Sequence, residues 1–235
     1  MLTGLRKARI RWTAVVLIVL LTLLAASPAF AHYYATGKVT NGHFLGGYAQ
    51  WANPTQYTTV DSGGFTEQTL WVHTQNSTST WVEVGLTKGW KSDTDVWTFY
   101  WAEKTPTYAE YLVTRSVGST GSIHTYEVQY TAYNTWTPYI DWAAVGSSNQ
   151  ASGSVRVDVG GEVTNTGSNL TMTYPEYMQV LDNSGGENQG RWVYWKQSDG
   201  TIHWNGDGFW PSYPPFYWQW RDGTEWRLGS DYKSI

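Results

Sequence analysis

The chain has 235 residues, of which 41% are hydrophobic and 17% aromatic, and it contains no cysteine. Its 19 acidic residues outnumber its 15 basic ones, and an acidic surface attracts neither nucleic acid nor an anionic membrane. The charge therefore argues against both as partners. Without cysteine the protein has neither disulfides nor a thiol nucleophile, so burial of apolar side chains has to stabilise the fold, as it can in a chain of this length.

Residues 1–31 have the pattern of a secretory signal peptide. Four basic residues lie between positions 6 and 11, residues 13–26 are apolar, and a small-x-small sequence ends at Ala31. The apolar stretch is shorter than the roughly 20 residues that span a bilayer. We therefore expect cleavage near Ala31 and a secreted protein that is not membrane-embedded, with a mature net charge of 11 − 19 = −8. Export of a chain without cysteine favours a bacterial source.

Eight later segments alternate apolar and polar residues, which is typical of strands with one buried face. They are residues 69–74, 80–87, 96–102, 124–132, 136–141, 154–159, 169–174 and 191–196. Clusters of Gly, Ser, Asn and Asp separate them, and no segment has a helical period. The sequence therefore predicts an all-β fold, an antiparallel double-sheet β-sandwich of the jelly-roll, concanavalin-like type.

The last fifty or so residues differ in composition. Seven tryptophans lie in residues 191–235, together with Pro214 and Pro215. We therefore divide the mature chain into a β-sandwich domain, residues 32–182, and a Trp/Pro-rich C-terminal extension, residues 183–235, packed on it. The aromatic residues favour a cover over the sandwich, and the alternative is a platform on which sugar rings stack.

Glu83 is a charged residue in the middle of the strand sequence Trp-Val-Glu-Val-Gly-Leu. Because alternate residues of a strand face opposite ways, Val82 and its alternate neighbours are expected in the core. Glu83 then lies on the other face beside Trp81, with Gly85 leaving space where a side chain would stand. A single outward glutamate is more often a solvated surface residue, so a catalytic role requires a second acid that faces it.

Several later acids could be that partner. They are Glu103, Glu110, Glu127, Asp141, Asp158, Glu162 and Glu176. Glu162 differs from the others because Gly160 and Gly161 interrupt the alternation directly before it. A glycine pair before an acid is typical of a β-bulge, which re-aims the next side chain. An acid in a surface turn is the equally weighted alternative for Glu162.

The order of several short motifs resembles the glutamic peptidases. In chain order the motifs are Gly47 to Ala52, Tyr57 to Thr66, Leu70-Trp71-Val72, Glu83-Val84-Gly85, Tyr100-Trp101 and Gly161-Glu162-Val163. Fungal eqolisins have similar Asn-Trp-Ala-Gly, Trp-Val-Gly-Ile-Asp-Gly, Leu-Gln-Thr-Gly and Tyr-Glu-Trp-Tyr segments, and neprosin-like enzymes have an acid in an Ile-Glu-Ala-Gly-Trp setting. The resemblance covers about residues 46–180. The family's Gly-Ile-Asp-Gly after Trp-Val is replaced here by His-Thr-Gln-Asn.

The resemblance implies a secreted endopeptidase that hydrolyses peptide bonds at acidic pH with Glu83 and Glu162 as its catalytic pair. Two adjacent carboxyls cannot both ionise cheaply, so the pair shares a proton. By the resemblance, Glu162 is the base that activates water and Glu83 is the acid that donates to the carbonyl oxygen. Trp51, Trp81 and Trp101 are expected to line the cleft as substrate-binding residues. A polypeptide is the implied substrate, and we expect a monomer without a cofactor.

Two other classes of protein share some of these features. A glycoside hydrolase also uses two carboxylates, but the Glu-x-Asp-x-x-Glu of laminarinase-like enzymes and the Val-Glu-Tyr-Tyr of small xylanases are missing here. A non-catalytic secreted module that binds extracellular polysaccharide, or a cell-surface module, remains the alternative to the peptidase. The five histidines have no metal-binding spacing, so no metal site is expected.

Overall fold

A computed structural model gives the structure of residues 33–53, 60, 64–89, 96–116, 121–163, 175–184, 190–195, 201–205, 216–222 and 225–230. The predicted signal peptide and the strand predicted at residues 169–174 lie outside the described residues. Residues 32–235 form one compact unit. Within the described ranges, no helix has the length and apolar character needed to cross a membrane.

The described part of the chain contains fifteen β-strands. They are β1 (Tyr33–Ala52), β2 (Phe65–His73), β3 (Trp81–Gly89), β4 (Thr98–Lys104), β5 (Ala109–Ser116), β6 (Ile123–Ala132), β7 (Thr135–Ile140), β8 (Ala143–Ala144), β9 (Ser148–Asn149), β10 (Ser154–Val163), β11 (Glu176–Asp182), β12 (Arg191–Tyr194), β13 (Thr201–Asn205), β14 (Phe216–Asp222) and β15 (Glu225–Ser230). The all-β prediction is confirmed.

Thirteen strands form one continuous sheet in the order β5-β4-β3-β2-β10-β1-β6-β7-β8, with β9, β11, β12 and β13 attached beside it; β14 and β15 form a separate hairpin. The long strand β1 belongs to two halves of this sheet. Its first half pairs with β10 and its second half pairs with β6 and β11, all antiparallel. Its register with β10 shifts between Thr40 and Phe44, and beyond this point β1 continues into the other half of the sheet. We call the half from β5 to β10 and the start of β1 the first sheet, and the half from the end of β1 to β8, with β11 and β12, the second sheet.

The two sheets face each other, since β3 lies against β6 and β7, and β2 lies against β6. Val82, Val84 and Leu86 of β3 are fully buried between them, as their alternation predicts. They belong to one apolar core that also contains Val128 and Ile140 of the second sheet. Burial of each such side chain contributes about 1.5–3 kcal/mol. The predicted antiparallel double-sheet sandwich is therefore confirmed.

Two local predictions differ from the structure. β2 begins at Phe65, four residues before the predicted strand, and so includes Glu67. The predicted bulge at Gly160 and Gly161 is wrong, because β10 continues through both glycines in unbroken register with β2. The physical reason is that β10 pairs with a neighbour on each side, β1 and β2, so the ladders on both sides hold the glycines in the extended conformation.

The segment predicted as a C-terminal extension contributes strands to the sandwich. β12 pairs with β11 of the second sheet, and β13 pairs with the first half of β1. Trp195 of the same segment is 2% exposed and belongs to the apolar core. The hydrogen-bonded sheet therefore extends beyond residue 182, the predicted end of the sandwich domain.

Candidate active site

Three glutamates share the face of the first sheet that is turned away from the core. Glu162 of β10 lies directly opposite Glu67 of β2. Glu83 of β3 lies opposite Trp71, four residues further along β2. Since strand side chains alternate, Glu67 and Trp71 point the same way, and so do their partners on the neighbouring strands. The structure thus places both predicted catalytic residues, Glu83 and Glu162, on one face, and it adds Glu67. We call these three the glutamate cluster.

Burial and mutual repulsion set the ionisation of the cluster. Glu67 and Glu83 are 3% and 4% exposed. Burial raises the pKa of Glu67 well above its usual range, the charges of Glu83 and Glu162 raise it further, and a hydrogen bond with Tyr100 opposes the shift. Burial also raises the pKa of Glu83 well above its usual range, and the charge of Glu162 adds to this shift. Both buried carboxyls therefore keep their protons at a pH where a solvated glutamate is ionised.

Glu162 differs from its two neighbours because it is only half-buried. In contrast, Oε2 of Glu67 is buried and forms no hydrogen bond within the part of the chain that the structure describes. Burial of an oxygen without a hydrogen bond costs much more free energy in a carboxylate than in a neutral carboxyl group. The cluster therefore combines one carboxyl that reaches solvent with two buried carboxyls that favour the protonated form.

Gly85 holds β2 and β3 close together between these glutamates. It lies opposite Thr69, and a Cβ at Gly85 would meet the carbonyl oxygen of Gln68 and lie 2.8 Å from Cα of Thr69. The predicted open space at Gly85 is thus wrong, because the backbone of β2 fills it, and the glycine instead permits this close approach. On its other side Gly85 is opposite Tyr100 of β4, the residue that opposes the rise in the pKa of Glu67.

A fourth carboxyl on this face, Asp158, is ion-paired. Burial alone would raise the pKa of Asp158, but the hydrogen bonds that Arg156 donates and the attraction of Arg156 and the nearby His73 lower it. Arg156 donates from Nε to Oδ1 at 2.6 Å and from its terminal nitrogen to Oδ2. Nε2 of His73 lies 3.8 Å from Oδ2. Asp158 therefore stays ionised and does not share a proton with the glutamate cluster.

Of the three predicted substrate-binding tryptophans, only Trp81 lies on the glutamate face. Trp81 is half-buried at the start of β3. Trp51 is 1% exposed and stacks on Tyr126, with ring centroids 3.9 Å apart. Trp101 lies opposite Val84 and is buried in the same core. Trp51 and Trp101 occupy core-facing positions of their strands, so the structure does not bring them to the glutamates.

Two residues of the glutamate face, Glu67 and Trp71, were not predicted as site residues. The sequence Phe-Thr-Glu-Gln-Thr before Leu70 has polar residues at both alternating positions, so it does not show where β2 begins. The four-residue spacing between Glu67 and Trp71 could have indicated them as site residues, because it places both on one face of a strand. Trp71 is 8% exposed and lies between Asp158 and Glu83 in the sheet.

The other candidate acids lie away from this face. Glu103 is 4% exposed on the core side of β4, where it accepts hydrogen bonds from Tyr108 and Ser148. Glu127, Asp141 and Glu176 belong to the second sheet and its turns, and the side chain of Glu110 lies outside the described residues. Among the described residues, no group of three or more His, Cys, Asp or Glu side chains could hold a metal ion.

Comparison with solved structures identifies the fold. The crystal structure of scytalido-glutamic peptidase with a transition-state analog inhibitor aligns with a TM-score of 0.59 and 13% identity, over 84% of this chain and 98% of that chain. A member of the eqolisin family of peptidases, in complex with the tripeptide Ala-Ile-His, aligns with a TM-score of 0.55 and 14% identity over the same shares. The fold is that of the glutamic peptidases. The resemblance predicted from the motif order is therefore confirmed at the level of the fold.

The sequence comparisons add nothing to this result. No protein-family model matches the sequence, and no curated protein matches it. A Bacillus licheniformis β-glucanase aligns with a TM-score of only 0.35 and 12% identity, over 81% of this chain and 67% of that chain. At these identities the structural likeness shows the fold alone.

Proposed function

We propose that the protein is a secreted endopeptidase of the glutamic type, which hydrolyses peptide bonds at acidic pH. The observation that carries the proposal is the contrast within the glutamate cluster, where Glu162 reaches solvent and Glu83 is buried with a raised pKa. An accessible base and a protonated acid that share one face of the sheet and interact electrostatically are the pair that hydrolysis through an activated water requires. The fold shared with glutamic peptidases supports the same reading.

In the proposed reaction, Glu162 takes a proton from a water molecule whose oxygen attacks the peptide carbonyl carbon. As the new C–O bond forms, the carbonyl oxygen takes the proton of Glu83, so no free oxyanion develops in a buried site. Glu162 then returns its proton to the amine as the C–N bond breaks. The new carboxyl group restores the proton of Glu83, and both glutamates regain their starting states.

Glu67 acts on Glu162 in this proposal as a positioning residue. The two are direct partners across β2 and β10, and a protonated Glu67 can donate a hydrogen bond towards the carboxylate of Glu162. Glu67→Gln keeps a donor at this place, whereas Glu67→Leu removes it. We expect Glu67→Gln to keep most of the activity, and Glu67→Leu to lower kcat more than KM and to move the pH profile. Equal activity of both variants and the parent would exclude this role.

The test uses residues 32–235 and a reduced, alkylated protein substrate that stays unfolded from pH 2 to 7. Peptides are identified by mass spectrometry, and in ¹⁸O-labelled water each new carboxyl terminus gains the label if water is the nucleophile. Glu83→Gln and Glu162→Gln should each lower kcat/KM at least about 100-fold, the usual contribution of a general acid or base. Glu103→Gln is the matched control, because this carboxyl is buried as deeply on β4 but faces the core. Its activity should match that of the parent.

Two results would contradict the peptidase proposal. One is no cleavage by the folded parent at any pH, and the other is cleavage that survives Glu83→Gln or Glu162→Gln. Thermal melting of each variant checks that lost activity is not lost folding. Absence of cleavage together with polysaccharide binding would favour the non-catalytic secreted module.

A further inference from the structure

The outer face of the second sheet carries aromatic, amide and carboxyl groups that the proposed hydrolysis does not use. In β6, Tyr126 and Val128 are buried in the core, so Glu127 between them points outward. A row of direct register partners crosses five adjacent strands from β12 to β7 through Glu127. The row consists of Tyr194, Gln179, Tyr48, Glu127 and Tyr139. Four strand spacings of about 4.8 Å give it a length of about 19 Å.

Tyr48 at the middle of this row is only 8% exposed, and further rings that pack against it extend the surface. Trp142 stacks on Tyr48, with ring centroids 5.5 Å apart and an interplanar angle of 17°. Trp192 meets Tyr48 edge-on at 6.3 Å. Tyr177 lies close enough for electrostatic interaction with Tyr48. We call the row together with Trp142, Trp192 and Tyr177 the aromatic face.

Two exposed rings of the aromatic face stand at backbone positions that favour glycine. Trp142 is 68% exposed and has φ of 65° in the two-residue turn between β7 and β8. Tyr177 is 46% exposed and has φ of 50° where β11 gains one residue relative to β1. Bulky residues rarely adopt positive φ, and such turns and bulges usually hold Gly or Asn. Unlike other exposed rings with positive φ, these two also lie beside Tyr48, and their costly conformation therefore indicates a role at this face.

Polar groups alternate with the rings along the row. Gln179 separates Tyr194 from Tyr48, and Glu127 separates Tyr48 from Tyr139. Burial raises the pKa of Glu127 to about 7, so this carboxyl is already partly removed from water. An apolar protein partner would bury it without a hydrogen bond, which is costly. A sugar ring offers apolar C–H faces to the rings and hydroxyl groups to the carboxyl and amide, and Tyr and Trp suit such amphipathic ligands.

We propose that the aromatic face binds a neutral polysaccharide chain. The row is longer than one sugar ring, so it suits a chain rather than a monosaccharide. The formal net charge of −4 disfavours an anionic polysaccharide. The aromatic face and the glutamate cluster lie on different sheets, so this inference does not depend on the proposed peptidase activity.

The test measures depletion of the purified protein by insoluble cellulose, chitin and curdlan, a β-1,3-glucan. Trp142→Gly removes the ring and is compatible with the positive φ of the turn, and thermal melting checks that the variant is folded. Tyr194→Ala removes a second ring, which is 50% exposed. Tyr133→Gly is the matched control, because Tyr133 is 96% exposed with φ of 48° in the turn between β6 and β7. Glu83→Gln is a second control, because Glu83 lies on the other sheet.

We expect the parent to bind at least one of the three polysaccharides. Trp142→Gly and Tyr194→Ala should each weaken that binding about tenfold, the size of one lost ring contact of about 1.4 kcal/mol. Tyr133→Gly and Glu83→Gln should bind as the parent does. Absence of binding to all three polysaccharides would overturn the proposal, and so would equal binding by the parent and the two ring variants.

Discussion

The glutamate cluster predicts an inverted dependence of stability on pH. An unfolded glutamate has a pKa of about 4.3, whereas burial raises the pKa of Glu83 in the folded protein well above this value. Below pH 4.3 both states are protonated, so Glu83 does not favour unfolding. Between the two pKa values the unfolded chain has released a proton that the folded protein retains. The free energy of unfolding therefore falls as pH rises through this window, and the loss is complete above the folded pKa.

The magnitude follows from one proton for each buried carboxyl. Each carboxyl protonated in the folded state and ionised in the unfolded state lowers the free energy of unfolding by about 1.4 kcal/mol per pH unit. Glu67 is buried as deeply as Glu83, and its pKa is raised for the same first cause. Together the two carboxyls should give a slope of about −2.7 kcal/mol per pH unit in the window between the unfolded pKa and their raised folded pKa values.

Urea unfolding at half-unit steps from pH 4 to 7 measures the slope. Glu83→Gln replaces the neutral carboxyl with an amide of the same shape, and it should reduce the slope by about 1.4 kcal/mol per pH unit. Thr87→Val is the control, since Thr87 is fully buried on the same face opposite Glu67 and carries no charge. It should shift the curve by a constant amount. Parallel curves for the parent and Glu83→Gln would show that Glu83 ionises normally in the folded protein and would refute the reasoning.

Three further substitutions test other parts of the structure. Gly85→Ala places a Cβ against the carbonyl oxygen of Gln68, so we expect a loss of about 1–3 kcal/mol in urea unfolding, and an unchanged midpoint would exclude the close approach. Gln150→Ala removes a 2% exposed amide that bridges the loop before β10 to the sheet, and we expect it to lower the free energy of unfolding by about 1–3 kcal/mol. Slower hydrogen exchange of the loop amides in this variant would contradict the expectation. Asp158→Asn removes the negative charge that accepts two hydrogen bonds from Arg156, and it should cost about 3 kcal/mol at pH 6. Because the pKa of Asp158 is lowered, that cost should shrink as pH falls below about 4, and a cost independent of pH would argue against the ion pair.

The strands and the orientation of Glu83 were predictable because they depend on local alternation. Trp81, Glu83 and the buried Val82 and Val84 follow the period of two that any strand imposes, and the core positions are confirmed. The same rule failed for Gly160 and Gly161, where glycine left the local conformation undetermined and pairing on both sides of β10 decided it. Trp51 and Trp101 show a related limit, since an aromatic ring is equally suited to a core and to a cleft.

Alternation along single strands thus determined the all-β class, the core and the face on which Glu83 lies. Only the tertiary structure decided which strands are neighbours, and therefore which carboxyls meet. Glu67 and Glu162 are separated by most of the sandwich sequence, yet β2 and β10 pair so that they lie directly opposite each other. Strand order and register arise from the packing of the whole sheet. The shared burial that raises the pKa values of Glu67 and Glu83 exists only after that packing is complete.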